Sequence, residues 1–246
     1  MSKLRTISIV PTLLLISATV SQAVIITTVD DGSIREGQAT TVQDGGIGAN
    51  LYVRSDNSGN NDNVRKAYLK FDLTGLDADL TASATFTTTI SYRAKNQNGN
   101  RTFYFYGLDS GYTPTGDELG TDWSETALTW NNAPGNDRTN NIDTGFDPST
   151  TSLIYTAGNQ YNSDVGKVYT ITIPTLGDYT QADNTVTLMI SWSDAVQYGF
   201  GSKENTTEAY RPTLEFTQTA VPEPSSFALM AAAMSGAFVM VRRRRR

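Results

Sequence analysis

Short segments in which apolar and polar residues alternate fill the chain from residue 24 to about residue 219. In residues 67–73 the side chains of Leu69 and Phe71 fall on one face of a predicted strand, and that of Lys70 falls on the opposite, solvent face. Similar segments, separated by Gly, Asn, Asp and Pro clusters, recur at residues 85–92, 101–108, 167–173, 185–193 and 213–216. The alternation predicts a single all-β domain, an antiparallel, jelly-roll-like β-sandwich with about ten strands.

Helical periodicity is nearly absent from the same region. Only residues 175–182, which follow Pro174, are compatible with one or two helical turns. Residues 133–162 are the longest stretch without alternation, and we expect them to form an irregular excursion on the surface of the domain.

The N-terminus has the layout of a secretory signal peptide. Lys3 and Arg5 form a small basic region, residues 7–20 are mainly apolar, and the small-residue site Ser21-Gln22-Ala23 follows. This order predicts a signal peptide at residues 1–23 with cleavage after Ala23, and therefore export.

The C-terminus has the features of a second targeting segment. An apolar run at residues 227–241 precedes five arginines. As a helix the run would span roughly 22 Å, less than the bilayer core of about 30 Å. Stiff, extended backbone is expected ahead of it at Val221, Pro222, Glu223 and Pro224.

This tripartite tail, residues 221–246, resembles a PEP-CTERM sorting signal; the alternative is an ordinary short membrane anchor. The resemblance implies that an exosortase recognises the Pro-Glu-Pro motif and removes the tail. We therefore expect export across the inner membrane of a bacterium. The protein would be attached to the membrane only transiently and only through the tail. After processing, the domain at residues 24–220 would be extracellular or on the cell surface.

Charge and composition narrow the chemistry of that domain. The whole chain has a net charge of −6. Without the basic and acidic residues of the two ends, 12 basic residues face 24 acidic ones, a net of −12. Nucleic acid is therefore an unexpected partner, since phosphate binding needs a basic surface.

The sequence contains neither cysteine nor histidine. Disulfides and histidine-dependent catalysis are excluded, so an enzyme would have to rely on paired carboxylates. Acidic residues surround the tryptophan-containing segment at Asp109, Asp117, Glu118, Asp122 and Glu125, but no catalytic motif joins them. We expect no enzyme activity, and a carboxylate-based polysaccharide hydrolase or lyase is the distant alternative.

Five blocks in the body occur in the order found in one family. Residues 123–134 read Trp-Ser-Glu-Thr-Ala-Leu-Thr-Trp-Asn-Asn-Ala-Pro, and the other blocks are residues 31–37, 48–54, 66–76 and 200–204 with 211–214. Together they resemble the DNRLRE domain, which is classed among carbohydrate-binding modules. The resemblance implies a β-sandwich and binding of a polysaccharide, such as acidic alginate, through basic side chains.

Candidate ligand-binding residues follow from these blocks and from residue chemistry. Basic residues suit an acidic glycan, a tyrosine pair offers a platform, and an indole face stacks on sugar rings. These candidates are Arg54, Lys70, Tyr104, Tyr106, Trp123 and Lys203. The structural alternatives are that Trp130 fills and Trp123 caps the core, and that Arg35, Lys203, Glu204 and Arg211 form ion pairs that close the sandwich.

An acidic exported domain is also compatible with structural calcium, which binds carboxylate oxygens. The predicted ligands are Asp30, Asp31, Glu36 and Asp44, and Asp56, Asp62 and Asn63 are a second possibility. Neither set matches the EF-hand loop.

The leading hypothesis is an exported, non-catalytic polysaccharide-binding module that is sorted by the exosortase system. The alternative is a structural matrix or cell-surface protein that uses the sandwich for protein packing and binds no glycan.

Overall fold

The chain folds into β-strands, which confirms the predicted all-β class. The computed structural model describes residues 21–55, 63–94, 102–138, 145–158 and 164–219. Within these ranges the eleven strands are β1 Ser21–Thr27, β2 Asp30–Arg35, β3 Asn50–Val53, β4 Arg65–Asp72, β5 Ala84–Arg93, β6 Phe103–Leu108, β7 Thr151–Ala157, β8 Val168–Ile173, β9 Thr185–Trp192, β10 Tyr198–Gly201 and β11 Thr213–Thr219. Helical structure there is limited to short 3₁₀ turns, one of which, Leu176–Asp178, lies in the segment compatible with a helix.

The strands form two sheets that pack as a sandwich. Sheet 1 has the order β1-β11-β5-β10-β3, with β8 also paired to β5, and sheet 2 has the order β2-β4-β9-β6-β7. In sheet 2 the neighbouring strands are antiparallel, and Leu69 of β4 lies opposite Asp31 of β2 and Leu188 of β9. The predicted antiparallel sandwich is therefore confirmed.

The inner core, between the two sheets, is rich in aromatic rings. The ring of Phe103 stacks on Trp192 with centroids 4.0 Å apart and meets Phe200 edge-on at 5.2 Å. Leu69 and Phe71 lie in this core with no exposed surface, as the alternation of β4 predicts. Burying each such side chain contributes about 1.5–3 kcal/mol, which suits a domain without disulfides.

A third layer covers the outer face of sheet 2. We call residues 109–138 and 145–150 the outer layer. Its apolar side chains and those of the sheet beneath form a second cluster, the outer core, comprising Ile34, Val64, Tyr68, Leu108, Trp123, Leu128, Trp130, Ala133, Phe146 and Met189. The Tyr68 hydroxyl of β4 donates to the carbonyl of Pro134 at 3.2 Å. The outer layer is therefore packed on the sheet as an integral part of the fold.

Two expectations from the sequence are wrong here. Residues 133–162 contain β7, and Ala133 and Asn136 are buried, so this segment is not simply a surface excursion. Lys70 lies on the outer face of β4, as its parity predicts, but only 6% of it is exposed because the outer layer covers that face. Alternation assigns a face to each residue but does not show that an irregular segment packs over it.

Residues 22–218 form one compact unit. Ala23, the predicted cleavage position, lies in β1. The apolar run of the predicted signal peptide, the sorting motif Val221–Pro224 and the arginine cluster lie outside the described residues, as do Asp56 and Asp62. Among the residues that are described, no helix has the length and apolar character required to cross a membrane.

Candidate functional site

Three arginines from neighbouring strands converge at one end of the sandwich. Arg54 follows β3 and forms a backbone bridge with Arg65 of β4, with N–H···O distances of 3.0 and 2.8 Å. Arg65 also lies opposite Arg35 of β2 in the antiparallel register. With Tyr52 of β3 and Tyr92 of β5, these side chains form what we call the arginine–tyrosine patch. All five are half-buried or exposed.

Of the two tyrosines, Tyr52 lies beside an arginine and Tyr92 packs against Tyr52. The Arg65 guanidinium carbon lies 5.3 Å from the centroid of the Tyr52 ring. Tyr52 meets Tyr92 edge-to-face at 5.5 Å, and 37% of Tyr92 is exposed. Gly199 lets the rings approach, since an added Cβ would lie 3.0 Å from the Tyr92 Cβ and 3.3 Å from the Tyr52 Cδ1.

The patch carries concentrated positive charge. Burial first, and then the charges of Arg35 and Arg54, lower the pKa of Arg65, while the Asp44 carboxylate acts in the opposite direction. The Nε atoms of Arg54 and Arg65 are buried and have no hydrogen-bond partner among the described residues. Guanidinium groups clustered in this way favour an anionic ligand, although the two buried Nε atoms are not themselves accessible to it.

Two known family models match the chain. A family model described as carbohydrate-binding module family 96 matches residues 22–218. The chain belongs to carbohydrate-binding module family 96. The model of the PEP-CTERM protein-sorting motif matches residues 220–246. No curated protein matches the chain.

These matches confirm the carbohydrate-binding-module class and the sorting motif predicted from the sequence. They are consistent with the DNRLRE resemblance. Family 96 membership supports carbohydrate binding, and the sorting motif indicates export to the surface or exterior of a bacterial cell.

In this family 96 module, two of the predicted ligand residues are buried against each other. The Lys70 ammonium lies 2.8 Å from the Asp30 carboxylate, donates to the Trp123 carbonyl and lies 5.2 Å from the Trp123 ring centroid. Trp123 is 2% exposed, and its Nε1 donates to the Thr187 hydroxyl at 3.0 Å. Trp130 is equally buried, so the structural interpretation of both tryptophans is confirmed.

Lys203 of the module lies in a separate charged cluster. Its ammonium lies 2.7 Å from a Glu125 oxygen and also contacts Glu204, which confirms the ion-pair interpretation of Glu204. Carboxylate oxygens of Asp31, Glu125 and Glu204 lie within 4.8 Å of one another, and the Lys203 ammonium donates to Glu125 and Glu204. Lys203 therefore balances carboxylates and ties the outer layer to the segment after β10.

The predicted calcium ligands have different partners. Asp30 pairs with Lys70, whereas Asp31 accepts from the Thr28 hydroxyl at 3.1 Å and the Lys203 backbone N–H at 2.7 Å. Burial raises the pKa of Asp31 to about 7. Asp31 and Asp44 line one small polar pocket, while Glu36 acts electrostatically on Lys66. Calcium binding by these four residues stays a prediction.

The tyrosine pair is on the outer face of sheet 2, as its parity predicts. Phe103 and Phe105 are buried, while Tyr104 and Tyr106 are half-buried. Tyr106 packs edge-to-face on Phe146, with centroids 5.0 Å apart. It is therefore part of the packing of the outer layer.

The six predicted ligand residues do not converge on one surface. Arg54 belongs to the arginine–tyrosine patch, and sequence reasoning missed the contributions of Arg35, Tyr52, Arg65 and Tyr92. Tyr52 is two residues from Arg54, so alternation along the strand places both side chains on the same face, and the sequence alone could have indicated this. The pairing that brings Arg35, Arg54 and Arg65 together is long-range and has no local signal.

Proposed function

We propose that this module binds polysaccharide chains bearing carboxylate or sulfate groups at the arginine–tyrosine patch, without altering them chemically. The observation that carries the proposal is the convergence of Arg35, Arg54 and Arg65 on a domain of net charge −12. An acidic chain is repelled by most of such a surface. A local cationic cluster is where its attraction concentrates.

The side chains of the patch suit the chemistry of an acidic glycan. A guanidinium donates two parallel hydrogen bonds to a carboxylate or sulfate, which gives orientation as well as affinity. The exposed Tyr92 ring offers an apolar face to the C–H groups of a pyranose, while its hydroxyl stays hydrated. The edge-to-face contact with Tyr52 holds that ring in place before a ligand arrives.

The tail supports a location for this activity. We infer that an exosortase recognises Val221–Pro224 and removes the tail, so that the module acts outside the cell after a transient membrane attachment. Recognition of the Pro-Glu-Pro motif immediately after β11 would leave the sandwich whole. Binding without catalysis is favoured by the lack of histidine and by the ion pairs of Glu125 and Lys203.

The proposal is tested by affinity electrophoresis through gels that contain an acidic polysaccharide, a neutral one, or none. We expect the acidic gel alone to retard the protein, and the double variant Arg54→Ala/Arg65→Ala to migrate as in the empty gel. The double variant Arg138→Ala/Lys167→Ala is the matched control, because it removes the same two positive charges from exposed positions outside the patch.

Retardation of the control but not of Arg54→Ala/Arg65→Ala supports the patch. Equal retardation of Arg54→Ala/Arg65→Ala and the wild type contradicts it. A protein that no glycan retards supports the structural matrix alternative.

A further inference from the structure

Lys66 of β4 places its amine inside the outer core. It is 1% exposed, and its Nζ donates to the Asn136 Oδ1 at 2.7 Å. It also donates to the carbonyl oxygens of Asp137 and Gly145. The Trp130 ring centroid is 4.7 Å from this nitrogen. Water has little access to the amine, and an amide group is its side-chain partner.

The two buried lysines of β4 differ in a chemically decisive way. Lys70 faces the carboxylate of Asp30, which pairs with an ammonium. Lys66 faces the neutral amide of Asn136, and burial lowers its pKa to about 7, although the carboxylates of Asp137 and Glu36 act in the opposite direction. The three carbonyl acceptors match the three N–H groups of the ammonium form. Because the pKa is about 7, a share of Lys66 loses one of these protons near neutral pH and becomes the uncharged amine, the form in which lysine is a nucleophile.

The amide of Asn136 is held with its carbonyl toward that amine. Asn136 is 4% exposed, and its Nδ2 donates to the Trp130 carbonyl at 2.7 Å, which leaves Oδ1 toward Lys66. Because an amide C=O bond is about 1.23 Å long, the Asn136 Cγ lies within about 3.9 Å of the Lys66 Nζ. Reacting atoms in a near-attack arrangement are about 3–3.5 Å apart, so a small rotation brings them together.

We propose that Lys66 and Asn136 react to form an intramolecular isopeptide bond between β4 and the outer layer. The lone pair of Nζ attacks Cγ, and a new C–N bond forms. The bond between Cγ and Nδ2 then breaks, and Nδ2 leaves as ammonia with the proton that Nζ loses. No oxidant, reductant or further reactant is needed.

The surroundings supply what the reaction requires. The carboxylates of Glu36 and Asp137 are both near enough to influence the amine, and either suits transfer of the proton from Nζ to the leaving nitrogen. Exclusion of water by Trp130 and Phe146 protects the acyl carbon from hydrolysis. The bond would span 70 residues of sequence in an exported domain that has no cysteine for a disulfide.

Tandem mass spectrometry of a tryptic digest of the full-length protein tests the proposal. No Lys or Arg lies between residues 102 and 138, so trypsin releases Asn136 in peptide 102–138. An acylated Lys66 resists trypsin, so its peptide is residues 66–70. We expect a branched species that joins these two peptides, with a mass lower than their sum by one ammonia.

Matched variants assign the bond. Lys66→Arg and Asn136→Ala are expected to abolish the branched species, while Glu36→Gln or Asp137→Asn slows its formation. Lys70, buried on the same strand beside a carboxylate, is the internal control and is expected to remain free. Wild-type protein that gives peptide 102–138 at its unmodified mass, together with cleavage after Lys66, overturns the proposal even if no variant folds.

Discussion

Two groups of cationic side chains in this module differ in how their charge is satisfied. In the outer core, Lys70 is 6% exposed and contacts a carboxylate, a carbonyl and an indole ring. In the arginine–tyrosine patch, Arg54 and Arg65 are half-buried, and their Nε atoms have no hydrogen-bond partner among the described residues. The buried lysine is held by partners within the fold, whereas we propose that the half-buried arginines bind an anionic ligand.

The comparison bears on how carbohydrate-binding sequences are interpreted. The most recognisable aromatic block, residues 123–134, is a natural first choice for sugar stacking. Its two indoles are each 2% exposed, because they pack the outer layer onto sheet 2. The less conspicuous Tyr52 ring lies beside the Arg65 guanidinium, and Tyr92 packs against Tyr52. The packing and hydrogen-bonding partners of a side chain, more than its residue type, show whether its role is structural.

The largest loss of stability is expected from Lys70→Met, which removes a cation that the fold uses internally. Removal of one partner of a buried ion pair costs about 3–5 kcal/mol, and we expect the lower part of that range because the Asp30 side chain is 22% exposed. Urea unfolding measures the loss. The double variant Lys70→Met/Asp30→Asn is expected to recover most of it. A loss below about 0.5 kcal/mol for the single variant contradicts the structural role of Lys70.

Asp31, at the edge of the outer layer, is expected to make the free energy of unfolding depend on pH. Asp31 keeps its proton to about pH 7 in the folded state, whereas its ordinary pKa is 3.8. The folded state therefore binds more protons between these values, and its free energy of unfolding falls as pH rises, by up to about 1.4 kcal/mol per unit. The stabilising contribution of the protonated Asp31 carboxyl is complete below about pH 4 and is lost as the pH rises through 7.

Asp31→Asn isolates this contribution. We expect the difference in unfolding free energy between wild type and variant to change steadily from pH 4 to pH 7 and to level off above that. A difference that is constant across this range contradicts the raised pKa. Chemical denaturation at a series of pH values provides the measurement.

The smallest effects come from a matched pair of hydroxyl deletions. Thr187→Val removes the acceptor of the buried Trp123 Nε1–H and is expected to cost about 1–2 kcal/mol. Thr88 of β5 is fully buried, and its hydroxyl has no partner among the described residues, so Thr88→Val is expected to be neutral or stabilising. Thermal unfolding compares the two. Destabilisation of equal size in both variants contradicts the role assigned to the Trp123 hydrogen bond.

The sequence predicts the sandwich well because strand alternation is a local property. Leu69 and Phe71 face the inner core as predicted, and the outward side of Lys70 is also predicted correctly. The sequence does not reveal that residues 109–138 and 145–150 fold back over that side, since packing of an irregular segment leaves no periodic pattern. The sequence pattern alone therefore places Lys70 in solvent.

The candidate site was only partly predictable for a related reason. Arg54 stands out as a basic residue in a recognisable block, and it does belong to the patch. Arg35 and Arg65 join it through the register of β2 with β4 and through the bridge after β3, which depend on long-range pairing. Gly199, which admits the two tyrosine rings, comes from β10, far along the chain.

The central proposal is that the half-buried arginines of the arginine–tyrosine patch bind the acidic groups of a polysaccharide. Isothermal titration calorimetry with one carboxylated polysaccharide, before and after esterification of its carboxylates, tests this most directly. We predict measurable binding of the native chain at low salt, weakening as added salt screens the charges, and loss of binding on esterification. Equal affinity for the esterified and the native chain would contradict the claim.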